Sequence, residues 1–153
     1  MEYITNSAEE TELLAERFVR SLFDRPGIQG NATIVGLRGE LGAGKTTFMK
    51  GAARALDLTE HITSPTYVIE KVYDLPETCP FDRLIHIDAY RLESGDELAA
   101  IGFNEQLTNP RHLVFVEWPE MVETVIPLRA GEISFEVLDG NARKIVIHSE
   151  NGQ

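Results

Sequence analysis

Gly39-Glu40-Leu41-Gly42-Ala43-Gly44-Lys45-Thr46 matches the spacing G-x-x-x-x-G-K-[ST] at every specified position. Each residue type there has a chemical task. The glycines permit backbone conformations that turn successive N–H groups inward, which makes a cradle for phosphate oxygens. A helix that begins at the cradle points its positive dipole end at the same anion. Lys45 can then reach the outer phosphates of a nucleoside triphosphate, and the Thr46 hydroxyl can ligate Mg²⁺. Gly42, Ala43, Gly44, Lys45, Thr46 and Thr47 are therefore the candidate nucleotide-binding residues, with ATP as the expected substrate. By average residue usage, a chance match in a chain this long has odds on the order of 0.5%.

Such a loop needs an acid to complete the metal site, and in open α/β sheets ligands sit at the carboxyl ends of strands. Two acids end apolar runs. Glu117 follows Leu113-Val114-Phe115-Val116, and Asp88 follows Leu84-Ile85-His86-Ile87. Glu117 ends the cleaner run and is assigned the metal together with Thr46. Asp88 then orders the attacking water or meets the metal through water. Lys45, Asp88 and Glu117 form the candidate catalytic set. His86, flanked by apolar residues, reads as a packed strand residue. Trp118 reads as half-buried packing beside Glu117. Arg91 either stabilises phosphate charge or pairs with a nearby carboxylate.

The elements that must position these groups can be read from periodicity. The loop is confirmed only if it follows a strand and opens a helix. Ala32 to Leu37 is a strand-sized apolar run, and Lys45 to Leu56 is an Ala-rich helical segment. Upstream, Ser7-Ala8-Glu9-Glu10 is a capping-box pattern ahead of Leu14, Phe18 and Leu22 at four-residue spacing. This predicts a helix that ends near Arg25-Pro26-Gly27. Val68 to Tyr73, Leu84 to Asp88 and Leu113 to Glu117 read as strands, and Leu75 to Phe81, with two prolines, as a surface loop. Ser94-Gly95-Asp96-Glu97 is a second capping box, opening a short helix through Ile101. Ile133 to Leu138 and Lys144 to His148 flank Asp139-Gly140-Asn141 and predict a C-terminal β-hairpin. The fold class is α/β: a P-loop NTPase domain spanning residues 1–153, with a mixed, mostly parallel sheet flanked by helices. The hairpin adds antiparallel strands at one side.

Composition excludes several classes of function. The net charge is −11, with 14 Lys and Arg against 25 Asp and Glu. Nucleic-acid affinity comes largely from cations that neutralise phosphates, so direct nucleic-acid binding by this chain alone is not expected. No apolar run reaches the length of a membrane span. Cys79 is the single cysteine, so an internal disulfide or a cysteine zinc cluster is out of reach. A cytoplasmic location is expected.

Four motifs occur in order: Gly39 to Thr47, Ser64-Pro65-Thr66-Tyr67, His86-Ile87-Asp88-Ala89-Tyr90-Arg91 and Glu117-Trp118-Pro119. Together they resemble the bacterial TsaE proteins, formerly called YjeE. The segment from Asp96-Glu97-Leu98 to Ile101-Gly102-Phe103 is similar to that family's short helix between the last two motifs. The resemblance spans nearly the whole chain. It implies a small Mg²⁺-dependent ATPase, weak alone and stimulated by partners. Such proteins serve the synthesis of N6-threonylcarbamoyladenosine beside the anticodon of tRNAs that read ANN codons. The implied partners are TsaB and TsaD; TsaD transfers the threonylcarbamoyl group, and ATP hydrolysis resets the complex between turnovers. The resemblance also implies a nucleotide-sensitive switch at Ser64 to Tyr67, an arginine near the nucleotide at Arg143, and an adenine pocket near Thr5.

Two other functions compete on the residues alone. A small-molecule P-loop kinase shares the cradle but needs a basic lid, and only Arg83, Arg91 and Arg111 dot the middle of the chain. A GTP-operated switch module needs an Asn-Lys-x-Asp tetrapeptide to read guanine, and none of the four lysines sits in one.

Overall fold

The computed structural model describes residues 1–25, 30–60, 62, 70–92, 96–100, 102–125 and 131–148. The first helix, α1 (Ala8–Ser21), starts at Ser7, whose Oγ accepts the Glu10 N–H at 3.2 Å. The reciprocal arm of the box lands one residue early: the Glu10 carboxylate accepts the Asn6 N–H at 2.6 Å. Thr11, Leu14, Ala15 and Val19 form its buried stripe, the i, i+3, i+4 pattern of an amphipathic helix. The second helix, α2 (Lys45–Ala55), buries Phe48, Met49, Ala52, Ala53 and Ala55. The two helices cross at Gly51. A Cβ there would lie 2.2 Å from the Glu12 carbonyl oxygen, so only glycine allows this approach.

Among the described residues seven strands form one sheet in the order β1-β7-β6-β2-β5-β4-β3. They are β1 (Glu2–Thr5), β2 (Thr33–Arg38), β3 (Glu70–Asp74), β4 (Arg83–Asp88), β5 (His112–Glu117), β6 (Gly131–Val137) and β7 (Arg143–His148). The central ladders β6–β2, β2–β5 and β5–β4 are parallel. The outer ladders β1–β7, β7–β6 and β3–β4 are antiparallel. The predicted hairpin is β6–β7, but antiparallel strands flank the parallel centre on both sides rather than one. The reason is β3, whose connection to β4 is short enough to fold back as an antiparallel pair. β1 was not predicted. Four residues at the chain start carry too little periodicity, and β7 selects the strand by pairing Glu2–Thr5 with residues 143–146.

Strand alternation divides the core into two layers. Val35, Leu37, Leu84, Leu113, Phe115, Ile133 and Phe135 meet α1 and α2 on one face. Ile34, Ile85, Ile87, Val114 and Val116 face the other side. There they meet Leu98 of α3 (Asp96–Ala100), Phe103 of α4 (Phe103–Leu107) and Val122 of a 3₁₀ turn (Pro119–Val122). Every residue of β5 is buried, as expected for a central strand covered on both faces. α4, also unpredicted, follows Gly102 in the left-handed conformation. The Ser94 end of the second capping box lies outside the described residues.

Candidate nucleotide-binding site

The same alternation builds the site. Leu84, His86 and Asp88 share one face of β4, and Leu113, Phe115 and Glu117 share that face of β5. Asp88 and Glu117 are register partners at the carboxyl ends of adjacent parallel strands. β2 lies on the other side of β5 and runs directly into the glycine loop. The loop returns to open α2 at Lys45, with Gly42 and Gly44 at φ 78° and 110°. Both lie in the left-handed region that favours glycine. Gly39 is packed too closely for a side chain, since a Cβ would lie 2.9 Å from the Phe135 carbonyl oxygen.

These elements enclose an open cleft of about 470 Å³. Gly42, Gly44, Lys45, Thr46 and Thr47 line it from the loop and α2, Asp88 and Glu117 from the strand ends, and Arg143 from β7. The predicted candidates thus converge on one cavity. Ala43 is the exception: it is buried in the core beneath the loop, and only its backbone could serve a phosphate. Arg143 starts β7, and its guanidinium donates to the carbonyls of Gly42, Gly140 and Ala142 at 3.4, 3.2 and 3.0 Å. Ser7, Ala8, Glu9 and Thr11 at the start of α1 close one side. Thr5 does not line the cleft. It is buried, with its hydroxyl 2.8 Å from that of Thr11. Ser64 to Tyr67 lie outside the described residues.

Electrostatics follow from burial. Lys45 is 5% exposed. Its ammonium donates to the Gly39 carbonyl and lies 4.1 Å from the centroid of the Trp118 ring. Burial lowers its pKa, while Glu117 and Asp88 oppose that shift. Asp88 is displaced the other way. Burial raises its carboxyl above the ordinary range, the Tyr90 N–H opposes this with a 3.0 Å hydrogen bond, and Glu117 adds to the rise. Two carboxylates and a hydroxyl are a hard oxygen donor set, which suits Mg²⁺. The raised pKa of Asp88 marks an electrostatic deficit that a cation would relieve. Among the described residues no three His, Cys, Asp or Glu side chains cluster into a metal cage. Mg²⁺ is commonly held by one or two carboxylates together with substrate phosphates, so the donors present fit that ion.

Two side chains do more than the sequence suggested. Trp118 is half-buried, as expected, but it packs on Lys45 and on Tyr90, whose ring centroid is 4.9 Å away. Its backbone is left-handed at φ 58°, and its N–H donates to the Leu37 carbonyl at 3.2 Å. His86 is buried in the strand, as expected, yet its Nε2 lies 3.3 Å from Glu117 Oε2. The available signal was parity: His86 is two residues from Asp88 and so shares its face.

The model of the threonylcarbamoyl adenosine biosynthesis protein TsaE family matches residues 5–145. The chain belongs to the TsaE family. A TsaE of Rickettsia prowazekii is 33% identical over 147 residues, covering 95% of this chain and 93% of the relative. A TsaE of Bacillus subtilis is 33% identical over 148 residues, covering 95% and 83%. The crystal structure of Bacillus subtilis YdiB superposes with a TM-score of 0.75 at 28% identity, covering 97% of this chain and 84% of that one. The residues that the family model matches include the glycine loop, Asp88, Glu117 and Arg143. Among the described residues no helix is long and apolar enough to cross a membrane.

Proposed function

We propose that this TsaE-family chain is a Mg²⁺-dependent ATPase of the cytoplasm, which acts with TsaB and TsaD in making N6-threonylcarbamoyladenosine in tRNA. Hydrolysis would reset that complex between turnovers, with the transfer itself left to TsaD. One observation carries the ATPase reading: Lys45, Thr46, Asp88 and Glu117 line the same cleft at the mouth of the glycine loop.

Each residue has a role that its surroundings support. The loop N–H groups and Lys45 bind the phosphates, and Lys45 leaves the Gly39 carbonyl to do so. Thr46 and Glu117 would hold the cation, whose positive charge would offset the negative charge that develops on the phosphates. Asp88 orients the attacking water and is placed to accept its proton. Arg143 approaches from β7, but three backbone carbonyls already engage its guanidinium. This favours slow hydrolysis alone and completion of the site in trans, since a supplied arginine is worth roughly 10³–10⁵ in rate in related enzymes.

Phosphate release by the purified chain is the test, measured with Mg²⁺, with excess EDTA, and with TsaB and TsaD added. The expected result is slow Mg²⁺-dependent release to water that the partners accelerate, together with ATP-dependent co-purification. Phosphate delivered to a small-molecule acceptor instead of water would replace this reading with a kinase.

A further inference from the structure

His86 is the buried polar group that the proposed chemistry leaves without a task. It is 1% exposed, and among the described residues neither ring nitrogen makes a hydrogen bond. A buried polar atom without a partner is costly, so a histidine is an expensive choice for packing between Leu84 and Asp88. Its register partner on β5 is Phe115, which puts it diagonal to Glu117. Nε2 approaches Glu117 Oε2 to 3.3 Å but is not aligned as a donor. Catalytic hydrogen bonds are often long or misaligned before ligands bind.

We propose that His86 is a positioning residue for Glu117: its imidazole donates Nε2–H to Glu117 Oε2, leaving Oε1 free for the site cation. The tautomer follows from the surroundings. A proton on Nδ1 would have no acceptor among the described residues, whereas Nε2 faces a carboxylate, which accepts hydrogen bonds and donates none when ionised. Among the described residues no other side chain hydrogen-bonds Glu117. It is 3% exposed, on a strand whose other side chains are apolar apart from His112 at the far end. Outer partners of metal-binding carboxylates hold ligand geometry in this way, and their loss commonly weakens metal binding about 10–100-fold.

The inference rests on the assignment of Glu117 to the cation, and the experiment separates the two. A fluorescent ADP analogue is bound in EDTA and titrated with Mg²⁺ for the wild type, Glu117→Gln, His86→Leu and His86→Gln. The expected result is a Mg²⁺ half-point about 10-fold higher in H86L. H86Q, which keeps an amide N–H of similar reach, is expected to recover much of the loss. Binding in EDTA should be unchanged in both. A half-point in H86L equal to wild type, while E117Q shifts it, overturns the positioning role alone. Equal losses in H86L and H86Q, or weakened binding in EDTA, mean a packing role and overturn it as well. Indifference of the wild type to Mg²⁺ overturns the cation assignment and this inference together. Histidine ¹⁵N NMR of the nucleotide-free wild type gives a readout that needs neither variant folding nor metal. The Nε2–H tautomer at His86 is expected, and the Nδ1–H tautomer would refute the proposal.

Discussion

At the scale of single residues, the site sets charge against burial twice, in opposite senses. Lys45 is buried as a cation and leans on a carbonyl, a tryptophan face and two carboxylates. Replacing it with alanine removes the ammonium proposed to meet the phosphates. Loss of a preorganised charge donor typically costs about 10²–10³ in rate. Lys45→Ala is therefore expected to abolish ATP binding or to reduce hydrolysis by at least that factor, and wild-type turnover would refute the site. Asp88 is the converse case. Its folded pKa is raised, so in the window between the unfolded value, about 3.9, and the folded one, the folded state binds more protons. Stability then falls as pH rises through that window, and the full penalty persists above it. Asp88→Asn keeps an oxygen for the Tyr90 N–H and removes the penalty. The nucleotide-free variant should melt higher than wild type at neutral pH and equally below about pH 4, while its hydrolysis is lost. A lower melting temperature at neutral pH would show that the aspartate is stabilised by partners rather than strained by burial.

At the scale of elements, α1 and α2 hold the site's floor through one close crossing. Gly51→Ala would gain about 1 kcal/mol of helix propensity. Overpacking costs roughly 1–3 kcal/mol and occasionally more. A Cβ 2.2 Å from the Glu12 carbonyl oxygen and 2.7 Å from Glu12 Cα meets backbone, which cannot swing aside. The clash should win, with a net loss of about 2 kcal/mol in denaturant unfolding. ADP binding should weaken too, because the displaced turn carries Thr11 and Glu9 of the cleft; a stabilised variant would refute the crossing. The glycine loop, both helices and the strands ending in Asp88 and Glu117 were legible in the sequence, because apolar runs and capping residues act locally. β1 was not, since its strand character comes from β7, more than 130 residues away in sequence. Nor was the contact between His86 and Glu117, which depends on the register of β4 against β5. Parity could place His86 on the face of Asp88, but only the strand order shows which carboxylate stands beside it. The approach of Arg143 to Gly42 likewise needs the β6–β7 hairpin to lie beside β2.

At the scale of the whole molecule, charge decides how the chain can take part in tRNA chemistry. The net charge is −11, and many of the cations are already matched. Arg38 sits among Glu120, Glu123 and Glu132, and Arg54 holds Glu12 and Glu16. Arg83 meets Asp74, Arg111 meets Asp82 and Lys144 meets Glu2. Surface pairs of this kind add little stability, but they leave these cations matched by acids and spread over β2, α2, β4, β7 and the residue before β5. A nucleic-acid surface needs the reverse, cations gathered on one face so that counterions are released on binding. Nonspecific protein–nucleic acid complexes have dissociation constants of roughly 10⁻⁴–10⁻⁶ M at physiological salt, and this surface should fall short of that range. In a gel-shift titration at about 0.15 M salt, the isolated chain is expected to leave tRNA unshifted with or without ATP, and to enter a tRNA complex only when TsaB and TsaD are present. Micromolar binding by the chain alone, weakening steeply with salt, would show a basic face and overturn this expectation.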